Sequence, residues 1–388
     1  MAQEMSPARG AYRDEAAMIA AVAGPGGMAF LLTCLCALVA WLAGSKETRL
    51  NLPLVALALV ALAVAALVER VDPGRTLAVT CAAFLLAAAL PRTPDTALVA
   101  SRRTLTWLGI ATTALLSSSV LDNLNRSQPT PGLVGPIGGL LVVGIAIMIG
   151  AFPFGFWLPS LAEESPGSTA LLVGTLGLGA AILGVTVLGG SPWRVGNLAT
   201  APLLGMTGVA AALATLLAVG EKQPGRVFAY LISADAALQL GGFVGSPASG
   251  ASNLLFSFSA HALAATVGLA VLAAGRLEFT GLFQRRPALA AALILSGGSL
   301  VGLPLTAGFT SRFDLTRALT VPAVFYAAFA ALATVLGALA LARAFGPVFE
   351  RTGAARAPMS RFDLLVGFVS ALIVLAGVVP SLFLSLAK

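Results

Sequence analysis

The sequence predicts an all-α integral membrane protein of about twelve transmembrane helices, and three observations carry that expectation. Of its 388 residues 58% are hydrophobic and only 10% are charged, whereas soluble domains carry about 25% charged residues. Apolar runs of about 20 residues, the length that crosses the hydrocarbon core as a helix, recur from one end of the chain to the other. Those runs are continuous and rich in Ala and Leu, without the two-residue alternation of membrane barrel strands. The 42 glycines suit close helix packing in lipid. One helical bundle can therefore hold the whole chain.

The first polar segment, residues 1–16, carries charges of both signs. The apolar run after it is too long for the core of a cleaved signal and is expected to be a retained first helix. Spans are expected near 17–44, 51–68, 76–91, 104–121, 132–152, 167–188, 199–219, 227–246, 253–275, 288–307, 318–342 and 362–384. Cys34, Cys36 and Cys81 all fall inside these spans, with no disulfide framework or zinc spacing, so they read as packing residues and no metal is expected.

Most loop lysines and arginines follow odd-numbered spans, among them Lys222, Arg226, Arg285, Arg286, Arg343, Arg351, Arg356 and Arg361. That bias makes their side cytoplasmic, with both termini outside, in the inner (cytoplasmic) membrane. It also accounts for the net charge of +7, so nucleic-acid binding has little to recommend it.

Two segments break the apolar monotony. "AFPFGFWLPSLAEESP", Ala151 to Pro166, sets proline, aromatic and carboxylate side chains between two spans. Pro153 and Pro159 are expected to end a helix and force a rigid turn, with Phe154, Phe156 and Trp157 in the interfacial aromatic belt. Taken alone this is a helix-to-helix corner. In "SLVGLPLTAGFTSRF", Gly302, Pro304 and Gly308 interrupt an apolar helix just before Arg312. Such an interruption at membrane depth marks a broken helix, the place where transporters put ion sites.

Together these segments resemble the antiporter-like subunits of complex I, a family shared with Mrp-type cation/proton antiporters, membrane-bound hydrogenases and a bicarbonate-uptake system. The corner is similar to the family's PFHxWLPDAxExAPT and the break to its SLAGLPPTAGFIGKF. "VFAYLISADAALQLGG" resembles the family's YSSISHLG helix, and "FSFSAHALAATVGLAVL" its HALFKALLF helix. The resemblance covers residues 131–388, which it implies form an antiporter-like, inverted-repeat core with broken helices. Residues 17–130 match only as generic spans, about four where the family commonly has about two more.

The departures are as informative as the match. The family's proton movement is attributed to buried lysines, a glutamate and histidines, but the three lysines here, Lys46, Lys222 and Lys388, lie in loops or at the terminus. The family's lysine positions fall at about Met148 and at Ala265, and the corner histidine is Gly155. Only the GFIGKF lysine keeps its charge, as Arg312, and arginine does not deprotonate in proteins.

The remaining pathway candidates are Asp235, Gln239 one turn later on the same face, His261, Arg312, Asp314 and Arg317. Two readings follow. In one, the chain is a mainly structural membrane-arm subunit of a complex I-related proton- or ion-translocating assembly. In the other, it conducts protons through Asp235, His261 and Arg312. A bicarbonate-uptake or free-standing Mrp-type antiporter role is a weaker third. No catalysis is expected of this chain alone and no cofactor in it: it has no Walker loop and no cysteine cluster for an iron-sulfur centre. The expected partners are other antiporter-like and redox or soluble subunits, with the lipid bilayer around them.

Overall fold

The computed structural model describes residues 25–44, 52–67, 73–90, 95–190, 197–245, 251–274, 279–318, 324–353, 355–381 and 383. The polar segment 1–16, Lys46 and Lys388 lie outside them. The described residues are almost entirely helical, as the continuous apolar runs require. In chain order the helices are α1 (Pro25–Gly44), α2 (Leu52–Leu67), α3 (Pro73–Ala88), α4 (Asp95–Ser127), α5 (Val134–Met148), α6 (Trp157–Glu164) and α7 (Pro166–Gly190). They continue as α8 (Asn197–Gly220), α9 (Pro224–Gly245), α10 (Ala251–Ala274), α11 (Pro287–Val301), α12 (Ala307–Ala318), α13 (Val324–Phe345) and α14 (Arg361–Val378), with a single helical turn at Leu282–Arg285.

Each expected span has a helix. Seven helices among the described residues are long and apolar enough to cross a membrane, and five further apolar helices are shorter. The chain is a multi-pass, membrane-embedded helical protein. Two helices were not foreseen. α6 occupies half of the corner segment, and α12 is split from α11 by residues 302–306, so the expected 288–307 span ends at Val301 and the 318–342 span is really α13.

Burial sorts the bundle into centre and rim. The apolar windows of α7, α9 and α10 are buried over 100%, 94% and 89% of their residues, whereas those of α4, α13 and α14 are about one-third buried. The outer helices still expose large apolar side chains such as Phe325, Val335 and Phe368. In lipid such faces need no polar cover, so the rim stays apolar while buried Asp235 and Gln239 lie on α9 and buried His261 on α10.

α14 shows how a helix start is written locally. Ser360 accepts from the Asp363 backbone N–H, and the Ser360 N–H donates to the Asp363 carboxylate at 2.7 Å, a reciprocal capping box. Arg286, just before α11, donates to the same carboxylate at 2.9 Å and ties the starts of the two helices together.

Candidate functional site

The corner is a backbone device. α5 ends because Gly150 takes a left-handed conformation, φ +70°, which is open to glycine without a Cβ penalty. The expectation that Pro153 and Pro159 end the helix is therefore corrected. Pro153 sits exposed in the turn after a cis Phe152–Pro153 peptide, and Pro159 is buried in the first turn of α6, where its missing N–H costs nothing. Trp157 is not an interfacial residue either. It is fully buried and its indole N–H donates at 3.1 Å to the Ile147 carbonyl, which also accepts from the Gly150 N–H at 3.2 Å at the end of α5. The Phe152 N–H reaches the Ser233 carbonyl on α9 at 3.3 Å, fastening the corner to the helix that carries Asp235.

The position of the family's histidine leaves no room for a side chain. A Cβ on Gly155 would overlap the Gly150 carbonyl and come within 2.9 Å of the Ser233 hydroxyl. Met148 and Ala265, at the family's lysine positions, are 1% and 0% exposed and belong to the hydrophobic core. At these three positions the structure holds only backbone, apolar packing and the Ser233 hydroxyl.

The second segment keeps its charge. Gly302, φ +79°, ends α11, and Leu305 adopts φ +69°, a strained conformation for a residue with a Cβ. Pro304 and Leu305 are exposed, and α12 begins at Ala307. Ser299 accepts from the Gly308 N–H at 3.0 Å, and a Cβ on Gly308 would collide with the Ser299 carbonyl, so the two half-helices meet only because glycine stands there.

Arg312 spans the break. Its Nη1 donates to the Val301 carbonyl and to the Thr334 hydroxyl at 3.0 Å, and its Nη2 to the Leu300 carbonyl. Nη2 and Nε also donate to Asp235 Oδ1 at 3.0 and 3.1 Å. All five guanidinium N–H donors therefore have an acceptor. Two of those acceptors are carbonyls that the broken helix left without a backbone partner. Asp235 Oδ2 pairs with His261 Nδ1 at 2.8 Å. Side-chain exposure is 13%, 2% and 0% for Arg312, Asp235 and His261. With the imidazole neutral, the cluster sums to zero charge, which is how an ion pair survives in a bundle core.

The structure thus brings together Asp235, His261 and Arg312, with Gln239 one turn away donating to Ser311 at 3.1 Å. It leaves out Asp314, which is partly exposed, and Arg317, which is exposed. Thr334, Ser299, Ser311 and Ser257 were missed. Thr334 was legible as the lone threonine of the apolar run in α13, and Ser299 and Ser311 as serines flanking the break. Among the described residues, His261 Nε2, Gln239 Oε1 and Ser257 Oγ are buried without a partner.

A helical bundle with a broken helix is the fold of a class, the antiporter-like membrane subunits. Residues 105–337, more than half of the chain, match the family described as "NADH:quinone oxidoreductase/Mrp antiporter, TM", and the chain belongs to it. NADH-quinone oxidoreductase subunit N of Rhodopseudomonas palustris (strain BisA53) is 30% identical over 300 residues, 73% of this chain and 66% of that protein. Subunit N of Heliobacterium modesticaldum is 29% identical over 199 residues, 49% of this chain and 42% of its own. The chain spans about half the length of the curated relatives it matches. A chain of respiratory complex I from Thermus thermophilus with bound aureothin superposes with a TM-score of 0.75 at 22% identity, over 94% of this chain and 86% of that one. A chain of the Mrp complex from Dietzia sp. DQ12-45-1b gives a TM-score of 0.70 at 17% identity, over 94% and 82%. At those identities the likeness shows the fold, and the similar chains come from multi-subunit membrane complexes.

Proposed function

We propose that this chain is an antiporter-like membrane-arm subunit of a complex I-related, ion-translocating assembly, and that its polar centre works chiefly as a structural clamp. The observation that carries this reading is the full commitment of Arg312. A relay group must gain and lose a proton; a guanidinium holds its protons, and here all five N–H groups are spent on the break, on Asp235 and on Thr334. The corner supports the same reading, because Gly155, Met148 and Ala265 leave packed backbone and apolar side chains where family members carry titrating ones.

The expected setting is the inner (cytoplasmic) membrane with both termini outside. Loop charge supports it, and so does the Arg226–Glu163 pair at 3.8 Å, which puts the corner at the arginine-rich end of the bundle. The partners are other antiporter-like chains together with redox or soluble subunits that hold whatever cofactors the assembly uses.

The conducting alternative has one observation in its favour. His261 Nε2 and Ser257 Oγ, one helical turn apart on α10, are buried and unpartnered among the described residues, as groups that exchange protons with water would be.

Gentle detergent extraction through a tag on this chain, followed by mass spectrometry of what stays bound, tests the assembly. Iron-sulfur or flavin subunits together with further antiporter-like chains are the expected result. A large soluble zinc protein alone would move the reading to bicarbonate uptake, and recovery of the chain by itself would end the proposal of a membrane arm.

A further inference from the structure

One end of the bundle carries a basic strip that the ion-pair cluster does not use. There the chain after α13 does not turn straight into α14 but crosses the surface as a non-helical strap over residues 350–353 and 355–360. The strap is pinned beside the single turn at Leu282–Arg285. Gly281 N–H donates to the Pro347 carbonyl at 3.0 Å, Thr352 N–H to Gln284 Oε1 at 3.1 Å, and Ala357 N–H to the Arg285 carbonyl at 3.0 Å.

Charge on this strip is one-sided. Residues 279–287 and 346–363 contain five arginines against Glu350 and Asp363. Asp363 is already taken by Arg286 and its own cap. Arg351, Arg356 and Arg361 are exposed and make no ion pair or side-chain hydrogen bond with a described residue. Three guanidinium groups are therefore held at a surface where four helices end, with their donors unspent.

We propose that this strip binds the phosphodiester headgroups of anionic phospholipids. The guanidinium fork matches phosphate oxygens in paired hydrogen bonds. Basic side chains next to a spanning helix are the usual readers of anionic lipid. What favours lipid over an acidic protein is the apolar company. Phe283 and Phe349 are 48% and 54% exposed, with ring centroids 5.5 Å apart, and Met359 on the strap is 62% exposed. Aromatic rings beside arginines sit at the headgroup level, where one end of a side chain is wet and the other apolar. The backbone pinning fixes the strap beforehand, so little ordering is lost on binding. This inference is independent of whether the chain relays protons.

The test uses the full chain, purified in mild detergent and equilibrated with mixed micelles holding equal amounts of phosphatidylglycerol and phosphatidylethanolamine with the same acyl chains. Lipid remaining after washing is identified by mass spectrometry. Wild type should retain phosphatidylglycerol about fivefold over phosphatidylethanolamine, the worth of about one basic side chain at an anionic surface. Arg351→Gln/Arg356→Gln/Arg361→Gln should bring the ratio near one. Arg102→Gln/Arg103→Gln, which removes exposed charge from α4, should leave the enrichment in place. If the triple variant elutes as aggregate, Arg356→Gln alone, in the exposed strap, should lower the ratio in part. Equal retention by wild type, or enrichment that survives the triple variant, overturns the proposal. So does a triple variant that loses a bound protein while its lipid ratio stays unchanged, since the strip would then be a protein-docking surface.

Discussion

The corner around Gly150–Pro166 and the break around Gly302–Arg312 are two interruptions of one helical bundle, and they are held in different ways. At the corner the end of α5 is met by one indole N–H and by backbone N–H groups. At the break a guanidinium meets the orphan carbonyls and needs Asp235 to balance it. The difference teaches that a buried helix end must be satisfied, but a neutral donor suffices unless the end lies where two carbonyls and a carboxylate converge. Buried charge stands here where it also closes hydrogen bonds.

That comparison can be broken at its strongest point first. Arg312→Ala leaves a buried, uncompensated Asp235 and two unsatisfied carbonyls, and should cost about 3–5 kcal/mol. Thermal unfolding in detergent, followed by size exclusion, should show a protein that no longer survives extraction. At the corner, Gly155→His pushes a side chain into the Gly150 carbonyl, and overpacking of that kind costs roughly 1–3 kcal/mol or more. The expected outcome is a lowered unfolding temperature with no gain of proton flux in reconstituted vesicles. A stable, flux-competent variant would show that the corner can still take a titrating group.

Smaller changes sharpen the contrast. Trp157→Phe removes a single neutral hydrogen bond and keeps most of the buried ring, so about 1 kcal/mol should be lost. Denaturant midpoints would measure it, and a loss as large as that of Arg312→Ala would mean that the corner is not the lightly held end. Arg126→Gln breaks an i,i+4 pair with Asp122 whose arginine is 43% exposed. It should change stability by no more than about 0.5 kcal/mol, the baseline for charge that holds nothing buried.

Much of the fold was legible because a spanning helix needs about 20 apolar residues in one run, and each run here became a helix. Short helices escaped that logic. α6 has 8 residues and α12 has 12, too few to stand out in hydropathy from the turns around them. Trp157 was misplaced for a related reason: aromatic residues near a proline corner resemble an interfacial belt, and only the direction of the indole N–H shows that this one caps α5. Within the cluster, Asp235, His261 and Arg312 could be named because ionisable residues are scarce in the spans. Their pairing could not, since they sit on three helices 26 and 77 residues apart in sequence. Asp314 and Arg317 follow Arg312 closely but fall outside the cluster, because α12 turns its core face to Ser311 and Leu315.

The central claim is that the Asp235–His261–Arg312 cluster clamps the bundle and does not relay protons, and His261→Asn tests it most directly. An asparagine amide can reproduce the Nδ1 hydrogen bond to Asp235 while removing the one titratable imidazole from the chain. The measurement is proton flux into vesicles reconstituted with the intact assembly, followed with a pH-sensitive dye. The clamp account predicts assembly and flux within about twofold of wild type, since the asparagine amide keeps a donor on the Asp235 carboxylate. Loss of flux in a variant that assembles normally would contradict it and place His261 in a conducting path.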